Sequence, residues 1–153
     1  MRSKTVTRTS IFPASQEQVF QLLKELKTLQ YIASPYASFL PIDGRGSPVW
    51  EEGAVFRFRL RIFGVIPCGI HTIHVLRFSD DTYEIYTQES NPSVPTWNHR
   101  ITLKAAGDGQ TEYTDEVEIG AGWKTAFVCA WARSFYAHRQ NKWIRLLNSQ
   151  NRL

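Results

Sequence analysis

Sulfur is scarce in this chain of 153 residues, which carries two cysteines and one methionine. Cys68 and Cys129 lie far apart, with no C-x-x-C pair and no histidine at zinc-finger spacing. That pattern predicts buried free thiols in a reducing compartment and argues against a disulfide framework or a metal knot. Long apolar runs are also missing: none reaches the roughly eighteen residues that a membrane-spanning helix needs. Residues 1–12 lack the apolar core and small-residue cleavage site of a secretory leader, so a cytoplasmic location is the expectation. The formal net charge is +4, but the basic residues are scattered and form no block. Neither a nucleic-acid partner nor integral membrane association is therefore expected. No G-x-S-x-G or H-E-x-x-H motif occurs, and neither cysteine has an activating neighbour in sequence, which counts against nucleophilic or zinc-dependent hydrolysis.

What is present begins with the stretch from Trp123 to Leu147, which contains no Gly or Pro. At about 1.5 Å per residue it predicts a helix roughly 37 Å long, enough to span a small domain. Phe127, Trp131, Phe135, His138 and Lys142 recur every three or four positions and predict one bulky stripe, which Trp143, Leu146 and Leu147 continue near the end. Such a stripe needs a concave apolar partner, and the residues upstream supply strands for it.

Residues 5–12 alternate weakly and predict an edge-like strand with Val6 and Ile11 on its apolar side. Pro13 ends it, and Ser15 followed by Gln18 has capping-box spacing, so a helix is predicted from Gln16. The apolar phase drifts between Glu25 and Thr28, which predicts two short helices instead of one. Residues 36–42 read as a short strand closed by the turn-rich segment 43–48. Phe56, Phe58, Leu60 and Ile62 then alternate with Arg57, Arg59 and Arg61, a half-buried strand whose arginines face water. Gly64, Pro67 and Gly69 interrupt the pattern. Strands follow at Ile70–Phe78, Thr82–Glu89, Trp97–Lys104 and Thr111–Ile119, joined by short turns that make neighbours antiparallel. Gly120 and Gly122 give the chain freedom to swing into the long helix. The expected class is α+β, a curved antiparallel seven-stranded sheet wrapped around a long C-terminal helix. Two short helices follow the first strand, all within one domain over residues 1–153.

The segments TRTSIFPASQEQVFQLL, VWEEGAVFRFRL, PCGIHTIHV, TQES and TWNHRITL resemble the START-like or SRPBCC superfamily, and the element order matches its helix-grip fold over nearly the whole chain. That superfamily includes lipid and hormone carriers, polyketide cyclases and hydroxylating-oxygenase domains. The resemblance implies the fold and does not choose among those activities.

Strand register gathers a polar constellation. Pairing Phe78 with Thr82 places Val75 opposite Ile85, Ile73 opposite Thr87 and His71 opposite Glu89 on one mostly apolar, inward face. Pairing Ser90 with Thr96 adds His99 opposite Thr87 and Tyr83 opposite Leu103, and the last hairpin brings Asp115 to the same side. The expected ligand-binding residues are His71, Tyr83, Thr87, Glu89, Trp97, His99 and Asp115 from the sheet, with Phe127, Trp131 and His138 from the helix. A few polar groups on an apolar wall orient a ligand. His71, Glu89 and His99 are the candidates for proton transfer, the chemistry a cyclase or dehydratase acting beside a carbonyl requires. The same residues also fit cross-strand pairs that only satisfy one another, and the tryptophans fit plain packing. Two histidines and a carboxylate match a facial metal triad in type, but no tight ligand spacing supports one, and neither metal nor cofactor is expected. The expected partner is a small hydrophobic ligand such as a lipid, polyketide or aromatic compound. An acidic partner on the arginine row is a further reading, and oligomeric state is open.

Overall fold

The computed structural model describes residues 3–42 and 50–151, so the predicted turn at 43–48 lies outside the described residues. Nine residues of β1 (Lys4–Phe12) open the fold, followed by the short helices α1 (Gln16–Leu23) and α2 (Leu26–Ala33). Six strands come next: β2 (Ala37–Pro41), β3 (Val55–Ile62), β4 (Ile66–Ser79), β5 (Glu84–Ser90), β6 (Thr96–Ala105) and β7 (Thr111–Gly120). A single 3-10 turn at Gly122–Lys124 leads into α3 (Thr125–Asn151). The strands form one antiparallel sheet of seven in the order β1-β7-β6-β5-β4-β3-β2, and α3 lies across it. This is the expected helix-grip arrangement.

Local chemistry accounts for the element ends. The Ser15 hydroxyl accepts the Gln18 amide at 3.2 Å and caps α1, a contact whose loss typically costs about 1 kcal/mol. The Gln18 side chain does not return to complete a capping box; it donates to Gln150 and ties α1 to the end of α3. Lys24 and Glu25 break the two short helices apart. In β1 the buried residues are Val6 and Phe12, while Ile11 is half exposed. This corrects the sequence reading: positions 6 and 11 differ in parity and cannot share a strand face without a bulge. Arg57, Arg59 and Arg61 are exposed as expected.

β4 begins four residues earlier than its alternation predicts, at Ile66 and not Ile70. The pairing of β3 and β4 shifts between Arg59 and Arg61, and Gly69 at φ +74° takes up the irregularity. Pro67 is tolerated there because β5 pairs with β4 only from Thr72 onward, so that side of the strand needs no amide donor from Pro67.

The core divides into two clusters. One, under the middle of α3, joins Phe39, Phe58, Ile73, Val75, Trp97 and Val117 to Cys129, Ala132, Phe135 and Tyr136. The other, under its end, packs Phe12, Phe20, Ile85, Leu103 and Tyr113 against Trp143 and Leu147. Each fully buried large apolar side chain contributes roughly 1.5–3 kcal/mol. The bulky stripe expected of α3 is displaced around the helix. Its buried positions are Thr125, Cys129, Ala132, Phe135, Tyr136, Arg139, Gln140, Trp143 and Leu147. Phe127 is 79% exposed, and Tyr36 stacks on His138 and packs against Trp131 beside the sheet-facing side. Bulk alone places only part of the face: Phe135, Trp143 and Leu147 are buried as expected, but the helix also turns Thr125, Cys129, Ala132, Arg139 and Gln140 inward.

Candidate functional site

Between α3 and the concave face of the sheet lies a cavity of about 320 Å³, walled mostly by apolar side chains. α2 contributes Leu29 and Ile32, the strands Phe39, Leu60, Ile73, Ile85 and Ile101, and α3 Val128, Trp131, Phe135 and Tyr136. Phe127 and Ile66 also border it and are largely exposed, which puts them at its rim. Gly69 and Pro92 come together beside this rim, where a Cβ on Gly69 would meet the proline ring at 3.2 Å.

The polar residues form one seam along the wall. Asn91 Oδ1 accepts the backbone amides of Ser93 and Val94 at 3.0 and 2.9 Å, which turns its Nδ2 toward His71 Nδ1 at 3.1 Å. With Nδ1 accepting, His71 donates through Nε2 to Glu89 Oε1 at 2.7 Å. Thr87 Oγ1 donates to the other Glu89 oxygen at 2.6 Å, and His99 Nδ1 stands 3.9 Å from it. His99 Nε2 meets Asp115 Oδ1 at 2.6 Å. Gln140 Nε2 donates to Asp115 Oδ2 at 3.0 Å and to the Arg8 carbonyl at 2.8 Å, anchoring α3 to the sheet. Two carboxylate–imidazole pairs thus sit side by side in the interior.

The electrostatics follow from these contacts. Burial pushes the Glu89 carboxyl up, but the His71 hydrogen bond, the attraction of His71 and His99, and the Thr87 hydroxyl pull harder, leaving it below its ordinary value. Asp115 behaves alike: burial raises it, and His99, the Arg139 charge and Gln140 bring it below its ordinary value. Burial and nearby carboxylate charge push the Tyr113 and Tyr136 phenols well up, so both remain neutral; Tyr113 donates to Asp115 and Tyr136 accepts the Trp97 indole N–H.

The sequence-predicted residues divide. His71, Thr87, Glu89, Trp97, His99, Phe127 and Trp131 border the cavity. Tyr83, Asp115 and His138 do not border it, which corrects that part of the reading. Tyr83 falls in the turn before β5, at φ +52°, and its ring packs edge-on against Phe20 in the second core cluster. Asp115 is 1% exposed and sits behind His99. His138 hydrogen-bonds the Ser34 carbonyl at 2.6 Å on the flank of α3. The expected register of β4 and β5 is also corrected: Ile73, not His71, stands opposite Glu89, and His71 reaches the carboxylate diagonally. Sequence reasoning missed Asn91, Tyr136, Arg139 and Gln140. The last three share the helical spacing of Ala132 and Trp143, and that step of three and four is the signal that could have found them. Among the described residues, no group of three or more His, Cys, Asp or Glu side chains is arranged to hold a metal ion.

A family model described as "Domain of unknown function (DUF8410)" matches residues 10–147. The chain belongs to the DUF8410 family. No curated protein matches it. The DUF8410 chain is similar in structure to a START superfamily protein from Mycobacterium smegmatis, with a TM-score of 0.73 at 14% identity, covering 95% of this chain and 98% of that one. It is also similar to a protein from Thermus thermophilus, with a TM-score of 0.71 at 12% identity, covering 96% of this chain and 99% of the other. For Ara h 8.0201 the TM-score is 0.63 at 14% identity, with 94% and 99% covered. At such identities the likeness shows the fold, which is START-like. Among the described residues of the DUF8410 chain, no helix is long and apolar enough to cross a membrane.

Proposed function

We propose that this protein is a single ligand-binding domain that holds a small hydrophobic molecule with a polar head between the sheet and α3. The observation that carries the reading is the cavity of about 320 Å³, apolar over most of its wall with a few convergent polar groups on one side. Pockets of roughly 300–1,000 Å³ with this mixture are the usual small-molecule sites, and the START-like fold is in keeping with that use. A reducing compartment such as the cytoplasm suits Cys68 and Cys129, neither of which forms a disulfide.

Native mass spectrometry of the purified protein and thermal shifts against a lipid and aromatic library test it. A ligand at about 100 times its dissociation constant adds about 2.7 kcal/mol of stability. The expected result is a retained or library-derived adduct with a matching rise in Tm; no adduct and no shift across the library would count against binding.

A second reading, acid–base catalysis of the cyclase or dehydratase type, is favoured by one observation: His71 and His99 both border the cavity, each bonded to a buried carboxylate. Both ring nitrogens of His71 are taken by Glu89 and Asn91. His99, whose Nδ1 stands 3.9 Å from the ionised Glu89, is therefore the imidazole that would move the proton, with Glu89 supporting its charged form. Glu89→Gln is then expected to remove turnover of a bound carbonyl substrate while binding persists. Undiminished turnover in that variant would end this reading.

A further inference from the structure

Among the described residues, Arg139 is a buried cation that makes no ion pair. It is 5% exposed and borders the cavity. Its Nε has no hydrogen-bond partner among the described residues. Its guanidinium lies 5.5 Å from the Phe135 ring centre and 5.2 Å from that of Tyr136, which supports the charge without neutralising it. Burial alone would favour losing that charge, but the Asp115 and Glu89 carboxylates nearby hold the group protonated.

A donor and acceptor inventory of the chamber gives the imbalance a direction. Both oxygens of Glu89 accept, from His71 and Thr87, and both oxygens of Asp115 accept, from His99 and Gln140. The buried groups bordering the cavity that remain unpartnered among the described residues are donors: Arg139 Nε and the indole N–H groups of Trp50 and Trp131. Trp131, Phe135 and Arg139 follow one another at four-residue steps on α3, with the first two rings stacked at 4.8 Å. A neutral apolar ligand would leave all three donors unmade in a dry site, and a cationic one would oppose the guanidinium. A planar anion answers the fork of Arg with two parallel hydrogen bonds.

We propose that the ligand is an organic acid, an apolar body whose carboxylate pairs with Arg139 inside the cavity. This rests on the cavity-binding reading above and specifies the chemistry of the head group. The hydrogen-bonding oxygens of the two carboxylates are already taken, those of Glu89 by His71 and Thr87 and those of Asp115 by His99 and Gln140.

The test compares acids with their uncharged esters. Decanoate is set against methyl decanoate, and naphthoate against methyl naphthoate, by titration calorimetry and by displacement of a fluorescent apolar dye. The full-length protein is used at neutral pH, with R139M and R139K beside it. The expected result is that one acid binds at least about tenfold tighter than its ester, equivalent to about 1.4 kcal/mol. R139M, with circular dichroism matching the parent, is expected to bring acid and ester within about threefold of each other, and R139K to restore part of the preference. If acid and ester bind the parent protein equally, the Arg139 assignment fails while cavity binding stands. If no probe binds and the dye is not taken up, both readings fall. If R139M does not fold, the acid-to-ester ratio of the parent decides alone.

Discussion

At the scale of single residues, the buried carboxylates make stability depend on pH with a definite sign. Glu89 and Asp115 both have folded pKa values below their ordinary ones. A group of that kind gives up its proton more readily when folded, so its contribution is complete above the ordinary carboxylate range and is lost as pH falls through the lowered folded value. The urea midpoint is therefore expected to hold from neutral pH to the top of the carboxylate range and to fall steadily below it. Asp115→Asn is expected to cost about 1–3 kcal/mol at neutral pH, because His99 and Gln140 lose a charged acceptor in the interior. It should also flatten the acid slope. An unchanged slope in the variant would show that acid sensitivity arises elsewhere. Which residues face inward is legible in the sequence, since alternation in β4 to β7 places His71, Thr87, Glu89, His99 and Asp115 on one side. Their partners are harder to read. Ser79 pairs with Glu84 where a three-residue turn gives Asp81, a slip of three positions that would by itself turn the strand over. The irregularity between Val75 and Arg77 takes one position back, so Val75 meets Thr87 and the inward set is preserved. Nothing in the local pattern announces that bulge.

At the scale of elements, α3 separates what bulk suggests from what packing does. Its length and position are plain in a stretch free of Gly and Pro, yet its buried face follows the line of largest side chains only in part, keeping Phe135, Trp143 and Leu147 and leaving Phe127 outside. Leu147 is fully buried against the second core cluster, so Leu147→Ala is expected to cost about 2–5 kcal/mol. Phe127→Ala, at a position 79% exposed on the cavity rim, is expected to change stability by less than about 0.5 kcal/mol. Thermal and urea denaturation of the two variants check this contrast; equal losses would mean that the helix is rotated toward the stripe its aromatics suggest. The polar residues on the buried face explain why the sequence misleads. Arg139 and Gln140 interrupt an apolar stripe on paper, while in the fold one borders the cavity and the other joins Asp115 to the backbone of β1.

At the scale of the whole molecule, the question is whether the space under α3 is a hollow or a site of ordinary close packing. Protein interiors pack at crystal-like density, so an added ring has opposite consequences in the two cases. Ile73 is 4% exposed, borders the cavity and lies opposite Phe56 on one side and Glu89 on the other. Ile73→Phe extends this side chain into the space. In a solid core the change forces its neighbours apart and costs about 1–3 kcal/mol. Over a cavity of about 320 Å³ the ring gains contacts instead, and the ligand-free variant is expected to melt at or above the parent temperature. The same ring takes up room that a ligand needs, so any thermal shift produced by a bound molecule is expected to shrink in this variant. Stability held or gained together with binding lost is an outcome that only an unfilled chamber produces. A destabilised variant with unaltered ligand response would place the binding surface elsewhere on the molecule.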